Sequence, residues 1–215
     1  MIEVVNYINR EQEAFYETIL QSAYSGVRNL RPDLPEHIKI HFTDRGLIHS
    51  MATGGHAYAT DTINLVIDPN EKDSEKVATN LRSTLFHEAF HVSMNFTRET
   101  GPFGLMECVI HEGAATVFEI KYTDSPAGHL YGNYQSAGEE QLREWFLFAT
   151  NPSNNVLTKE GYGHFAYYDP SDDTRWKLYK LGTWLVDKYL KANSADINDL
   201  SSADVRRIIE YTGRF

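Results

Sequence analysis

Ser74-Glu75-Lys76-Val77-Ala78-Thr79-Asn80-Leu81-Arg82-Ser83-Thr84-Leu85-Phe86-His87-Glu88-Ala89-Phe90-His91-Val92-Ser93-Met94-Asn95 is the stretch from which the fold is read. Its apolar residues recur at helical spacing, and between Leu85 and Val92 the only polar side chains are two histidines and a glutamate. A helix apolar nearly all round is a buried one. Ionisable groups inside it are costly unless they are paired or bound to a metal. The three spell H-E-x-x-H. His87 and His91 lie one turn apart on one helix face, where two imidazoles can take neighbouring corners of a tetrahedral Zn²⁺ site. Glu88 lies one step round the helix and can reach a water on such a metal without being a ligand. Zinc brings that water's pKa to about 7. The plainer alternative is a pair of structural histidines in a buried helix.

Upstream, residues from about Gln12 to Leu30 form an amphipathic pattern carried by Phe15, Ile19, Leu20, Ala23 and Val27, and Pro32 and Pro35 end it. His37–Phe42 alternates polar and apolar as a half-buried strand does. Gly54-Gly55 is expected to break the chain, and a second β stretch covers Tyr58 and Thr62–Asp68, closed by Pro69 and Asn70. Downstream, Gly101-Pro102 makes a turn and Leu105–Lys121 a second buried helix. Further helices are predicted at about 138–149, 174–192 and 202–210. Gly161–Pro170 is an aromatic segment expected to be irregular, and Asp172-Asp173 are expected to open the helix that follows it. The whole is expected to be one domain of two lobes, about 1–100 and about 101–215.

Composition excludes several classes. The net charge is −10 and no Lys/Arg cluster is visible, so no nucleic-acid partner is expected. No apolar run approaches the length of a membrane span. Met1–Asn6 has neither a basic nor an apolar leader region, so a cytoplasmic location is expected, or a secreted one if a leader was removed. The single cysteine, Cys108, excludes an internal disulfide and any multi-cysteine zinc site. Histidine and carboxylate must then hold the metal.

Two histidines leave a catalytic zinc site short of its usual third protein ligand. Met94 and Thr97 stand where the H-E-x-x-H-x-x-G-x-x-H pattern needs glycine and histidine. The alternative is a glutamate from the next helix, and His111-Glu112-Gly113-Ala114-Ala115 supplies one. Its small residues allow close helix approach. The neighbours have plainer roles. His111 points about 100° away from Glu112, Cys108 suits a small buried position, and Glu119, on the face of Glu112, suits either the surface or a bond to the outer nitrogen of a ligand histidine.

His87-Glu88-Ala89-Phe90-His91 followed by Glu112-Gly113-Ala114-Ala115 resembles the gluzincin group of zinc metallopeptidases, which carry a glutamate ligand on the helix after H-E-x-x-H. The likeness is nearest to small bacterial zinc-dependent proteases of uncharacterised role. It covers roughly residues 55–120, with a fainter echo at Leu181–Val186. The resemblance implies an α+β, zincin-like domain, a small twisted sheet packed on the H-E-x-x-H helix with a mostly helical C-terminal lobe. It makes His87, His91 and Glu112 the Zn²⁺ ligands and Glu88 the general base. It makes Asn64–Asp68 the edge strand that pairs with an extended peptide or protein substrate. An oxyanion donor from the C-terminal lobe is also implied. Tyr162 and His164 lead for that role, ahead of Tyr167, Tyr168 and Tyr179. Peptide-bond hydrolysis, by an endopeptidase, is the expected activity. Two alternatives stay open at this point, a non-catalytic domain stapled by zinc and a zinc hydrolase of another amide such as a cell-wall peptide.

Overall fold

The computed structural model describes residues 1–6 and 13–213. In chain order its elements are β1 (Ile2–Asn6), α1 (Glu13–Leu30), β2 (Ile38–Phe42), β3 (Thr53–Ala59), β4 (Thr62–Ile67), α2 (Ser74–Ser93), α3 (Leu105–Tyr122), α4 (Glu139–Thr150), α5 (Lys159–Ala166), β5 (Tyr168–Asp169), β6 (Thr174–Arg175), α6 (Lys177–Asn193) and α7 (Ser202–Thr212). The fold is α+β. Among the described residues, no helix is long and apolar enough to cross a membrane.

Two units divide the chain, one of residues Met1–Gly101 with Phe118–Pro126, the other of Pro102–Val117 with Ala127–Phe215. The first is built on a mixed sheet of order β1-β2-β4-β3, in which β2 runs parallel to β1 and β4 while β3 runs antiparallel to β4. Strand alternation sends Ile38, Ile40, Ile63 and Leu65 into the core. Helix α2 packs on β3 and β4. Asp73 starts this helix, accepting from the backbone N–H groups of Glu75 and Lys76 at 3.1 and 3.0 Å and so satisfying donors the first turn leaves open. From Asn80 to Val92 all but Arg82 are buried, as the apolar wrap requires. Phe86 and Phe90 seat against Phe118 at ring distances of 6.0 and 4.7 Å.

The second unit centres on α6, which contacts α4, α5 and α7. Helix α3 meets α6 at two glycines. A Cβ on Gly182 would stand 2.0 Å from the Val109 carbonyl oxygen, and one on Gly113 2.1 Å from the Gly182 carbonyl carbon. A mid-helix glycine is destabilising by itself, and this backbone contact is what requires it. Gly182→Ala is therefore expected to cost about 3 kcal/mol or more, read as a Tm lowered by roughly 6 °C or more. An unchanged thermal midpoint would contradict the contact.

Strands β5 and β6 form a short hairpin that leads into α6. Lys177, buried at the first residue of α6, donates at 2.7 Å to both Asp169 and Asp172. Burial opposes its charge, but the two carboxylates outweigh burial and raise the ammonium pKa. The Lys177 hydrogen bond, with help from Ser171, holds the Asp169 carboxyl well below the usual range. Trp176, between β6 and α6, has φ +63° and ψ +35°. This left-handed conformation costs a bulky residue on the order of 1–3 kcal/mol.

Several expectations are corrected. Helix α1 is described from Glu13, Gln12 lying outside the described residues, and its buried stripe runs through Tyr16, Leu20, Ala23, Tyr24 and Val27 while Phe15 is exposed. Tyr24 can be buried because its hydroxyl donates to the Pro35 carbonyl at 2.7 Å. Gly54-Gly55 lies inside β3 and does not break the chain. Strand β4 is interior, so the edge beside the H-E-x-x-H helix is β3 and not Asn64–Asp68. Ile63 and the run Leu65–Ile67 are buried in β4, while Thr62 and Asn64 are half-buried. Residues 161–166 are helical, because the Thr158 hydroxyl caps α5 by accepting from the Gly161 N–H at 3.1 Å. Asp172 and Asp173 bind Lys177 and Tyr168 within the hairpin and do not cap α6. Strand β1 was not foreseen.

Candidate metal centre

Helix α2 carries His87 and His91 on one face, one turn apart, with ring centres 4.8 Å from each other. Both are buried, as is Glu88. Helix α3 brings a carboxylate to them. Ligand atoms of His87, His91 and Glu112 all lie within 4.8 Å of one another. The plain reading of two structural histidines accounts for neither the third group nor this convergence.

The outer nitrogen of His87 is accounted for as well. His87 Nδ1 lies 3.0 Å from Glu119 Oε2, and Glu119 is 0% exposed. Two turns after Glu112 on the same helix, Glu119 shares its face. Its other oxygen accepts from Ser125 Oγ. With Glu119 accepting from Nδ1–H, the Nε2 lone pair of His87 is left to bind a metal, an arrangement that fixes the ring and makes it a stronger donor. Two imidazoles and one carboxylate, with one ring oriented by a buried acid, fit a catalytic zinc site with an open position. Glu119→Gln is expected to weaken zinc binding by roughly 10–100-fold, measured by competition with a chromophoric chelator. An unchanged affinity would remove Glu119 from the site.

Glu88 is held from the sheet. The Ala57 N–H of β3 donates to its Oε2 at 2.8 Å. Gly55, two residues earlier, keeps the space open, since a Cβ there would stand 3.0 Å from Glu88 Cγ. The Gly-Gly pair thus marks a close backbone approach, which an isolated glycine in a strand pattern can signal. His91 lies 5.0 Å from the Phe96 ring, and His111, also buried, 5.9 Å from that of Phe103. Burial, then the charges of Glu112 and Glu107, push the Cys108 thiol up to about 12.

A family model described as "Predicted Zn-dependent protease (DUF2268)" matches residues 20–210. The chain belongs to the DUF2268 family. The matched span takes in all of α2, α3, α5 and α6, so every group of the candidate centre lies inside the part that defines a DUF2268 protein. Comparisons with curated proteins and with solved structures gave no match.

The remaining candidates of this DUF2268 protein sit on α5. Tyr162 lies beside Glu112 and Cys108, and burial, then the Glu112 charge, push its phenol pKa up. His164 is two residues on, about 200° round the helix. Its imidazole is 42% exposed and stands 4.0 Å from Glu160. The two side chains therefore leave opposite sides of α5, and the Glu112 charge acts on Tyr162.

Proposed function

We propose that this protein is a zinc-dependent endopeptidase of gluzincin type, with His87, His91 and Glu112 as zinc ligands and Glu88 as general base. The observation that carries the reading is the convergence of those three side chains within 4.8 Å, with Glu88 between the two histidines in sequence and aimed by a bond from the sheet edge. When bound, zinc supplies Lewis acidity to the scissile carbonyl and acidifies water at neutral pH.

This chain's own residues supply the rest. Glu88 takes a proton from the attacking water and delivers it to the departing amine. The Ala57 N–H donates to Oε2 and fixes how the carboxylate is turned. Glu119 keeps the His87 ring in one tautomer through the cycle. On β3, Gly55 falls on the same side of the strand alternation as Ala57, so its backbone groups face away from β4. The chain itself takes the outward groups on either side, Ile48 bonding Thr53 and Arg98 bonding the Ala57 carbonyl, so Gly55 is the residue of this edge at which a substrate backbone would pair, alongside Glu88. Tyr162 donates its phenolic hydrogen to the oxyanion that develops on the substrate carbonyl, the electrostatic contribution that is often the largest in acyl transfer. A zinc-stapled binding domain would have no use for a glutamate oriented this way.

The test is digestion of a diverse peptide library by the zinc-loaded protein, with products read by mass spectrometry. Internal cuts are expected. Cuts only at chain ends would make the enzyme an exopeptidase, and intact peptides would remove the peptidase reading.

A further inference from the structure

Within the second unit a connected set of aromatic rings starts at Tyr162. Tyr162 meets Tyr167 at 6.5 Å between ring centres, Tyr167 meets Trp176 at 5.9 Å, and Trp176 meets Tyr179 at 5.7 Å. Tyr131 lies behind them, 5.8 Å from Trp176 and 5.3 Å from Tyr179. The set has an inner and an outer side, for Tyr131 is buried while Tyr167 is 49% exposed. At its near end Tyr162 is close enough to Glu112 to feel its charge.

The support under these rings is stiff. Trp176 sits in the left-handed region at φ +63°, where glycine would be the easier residue. Its backbone N–H donates to the Tyr167 carbonyl at 3.0 Å, closing the hairpin under both rings. Lys177 ties the same hairpin through Asp169 and Asp172. Core packing alone gives no reason to hold a tryptophan in that conformation, whereas display of its ring against Tyr167 and Tyr179 does. Strain of this kind is typical where a surface must be preformed for a ligand. Rigid aromatic side chains also lose little conformational freedom on binding.

We propose that Tyr162, Tyr167, Trp176 and Tyr179 form a substrate subsite that selects a peptide with an aromatic or large apolar side chain close to the scissile bond, an inference that rests on the peptidase reading above. Tyr162 marks the end next to the reacting carbonyl, and Tyr167 and Trp176 present the face on which the substrate side chain lies. Offset or edge-to-face contact with those rings favours phenylalanine over alanine beyond what area alone gives.

The experiment uses zinc-loaded full-length protein and blocked peptides identical except at one position, occupied by Phe, Leu, Ala or Asp and scanned along the sequence. Cleavage is followed by kcat/KM, and binding separately by calorimetry. Wild type is expected to prefer Phe over Ala by about tenfold or more at one position. Tyr167→Ala, at an exposed site, and Trp176→Gly, which suits the left-handed backbone, should each reduce that ratio about tenfold with zinc content unchanged. No preference in wild type, or one that both variants keep, overturns the subsite. If no peptide is cleaved but the Phe peptide binds and Tyr167→Ala releases it, the subsite stands and the peptidase reading falls. If the Phe peptide binds no better than the Ala peptide, the subsite falls.

Discussion

Glu88→Gln should lower peptide turnover by about 10²–10⁴-fold, the usual contribution of a positioned general base, while zinc stays bound. The amide keeps the shape of the carboxylate and, through its oxygen, the bond from the Ala57 N–H. It cannot accept a proton from water. Because Glu88 is not among the three converging ligand atoms, the metal has no reason to leave. The loss should fall on kcat, since substrate binding is left intact. Zinc analysis of the purified variant beside its initial rates decides the matter. Full activity would remove Glu88 as base, and loss of zinc along with activity would move it into the ligand set.

Glu112→Ala should weaken zinc binding by more than the roughly 10–100-fold assigned to partners of a ligand, because a ligand itself is lost. Two imidazoles on one helix face remain, and they fill only two of the three protein positions of a catalytic site. The order of the effects is the discriminating point. Chelator competition should rank Glu112→Ala below Glu119→Gln, and both below wild type. If Glu112→Ala binds zinc as wild type does, the third ligand is another group, and His111 and Cys108, neighbours on α3, are next to be replaced.

The sequence showed clearest where one periodicity held over a long stretch. Helices α2 and α3 follow their apolar spacing to within a residue or two, and a spacing of one turn put His87 and His91 together without tertiary information. Glu112 and Glu119 share one face of α3, but the spacing alone left Glu119 open between the surface and a bond to a histidine, which its burial against His87 settles. The sheet was harder. Strand β4 has the stronger apolar run, but it lies inside the sheet, and the edge next to Glu88 is the glycine-containing β3. A Gly-Gly pair has the composition of a turn, and the approach of the Gly46 backbone to Gly54 and of Glu88 Cγ to Gly55 gives the reason for it. Strand β1 is short and its pairing with β2 parallel, so no local hairpin signal exists for it. On α5, Gly161 and Gly163 suggested a loop, whereas the Thr158 cap makes a helix. That change places Tyr162 and His164 on opposite sides of α5. The packing of Gly182 on Gly113 joins residues far apart in the chain, and no spacing rule reveals it.

The most direct test is a zinc titration of the metal-stripped protein, following cleavage of a susceptible peptide. Activity should be absent at the start, rise with added zinc and level off at about one ion per chain, the stoichiometry of one closed ligand set. Cleavage by the stripped protein, or a protein that takes up its zinc and still cuts no peptide, would contradict the account.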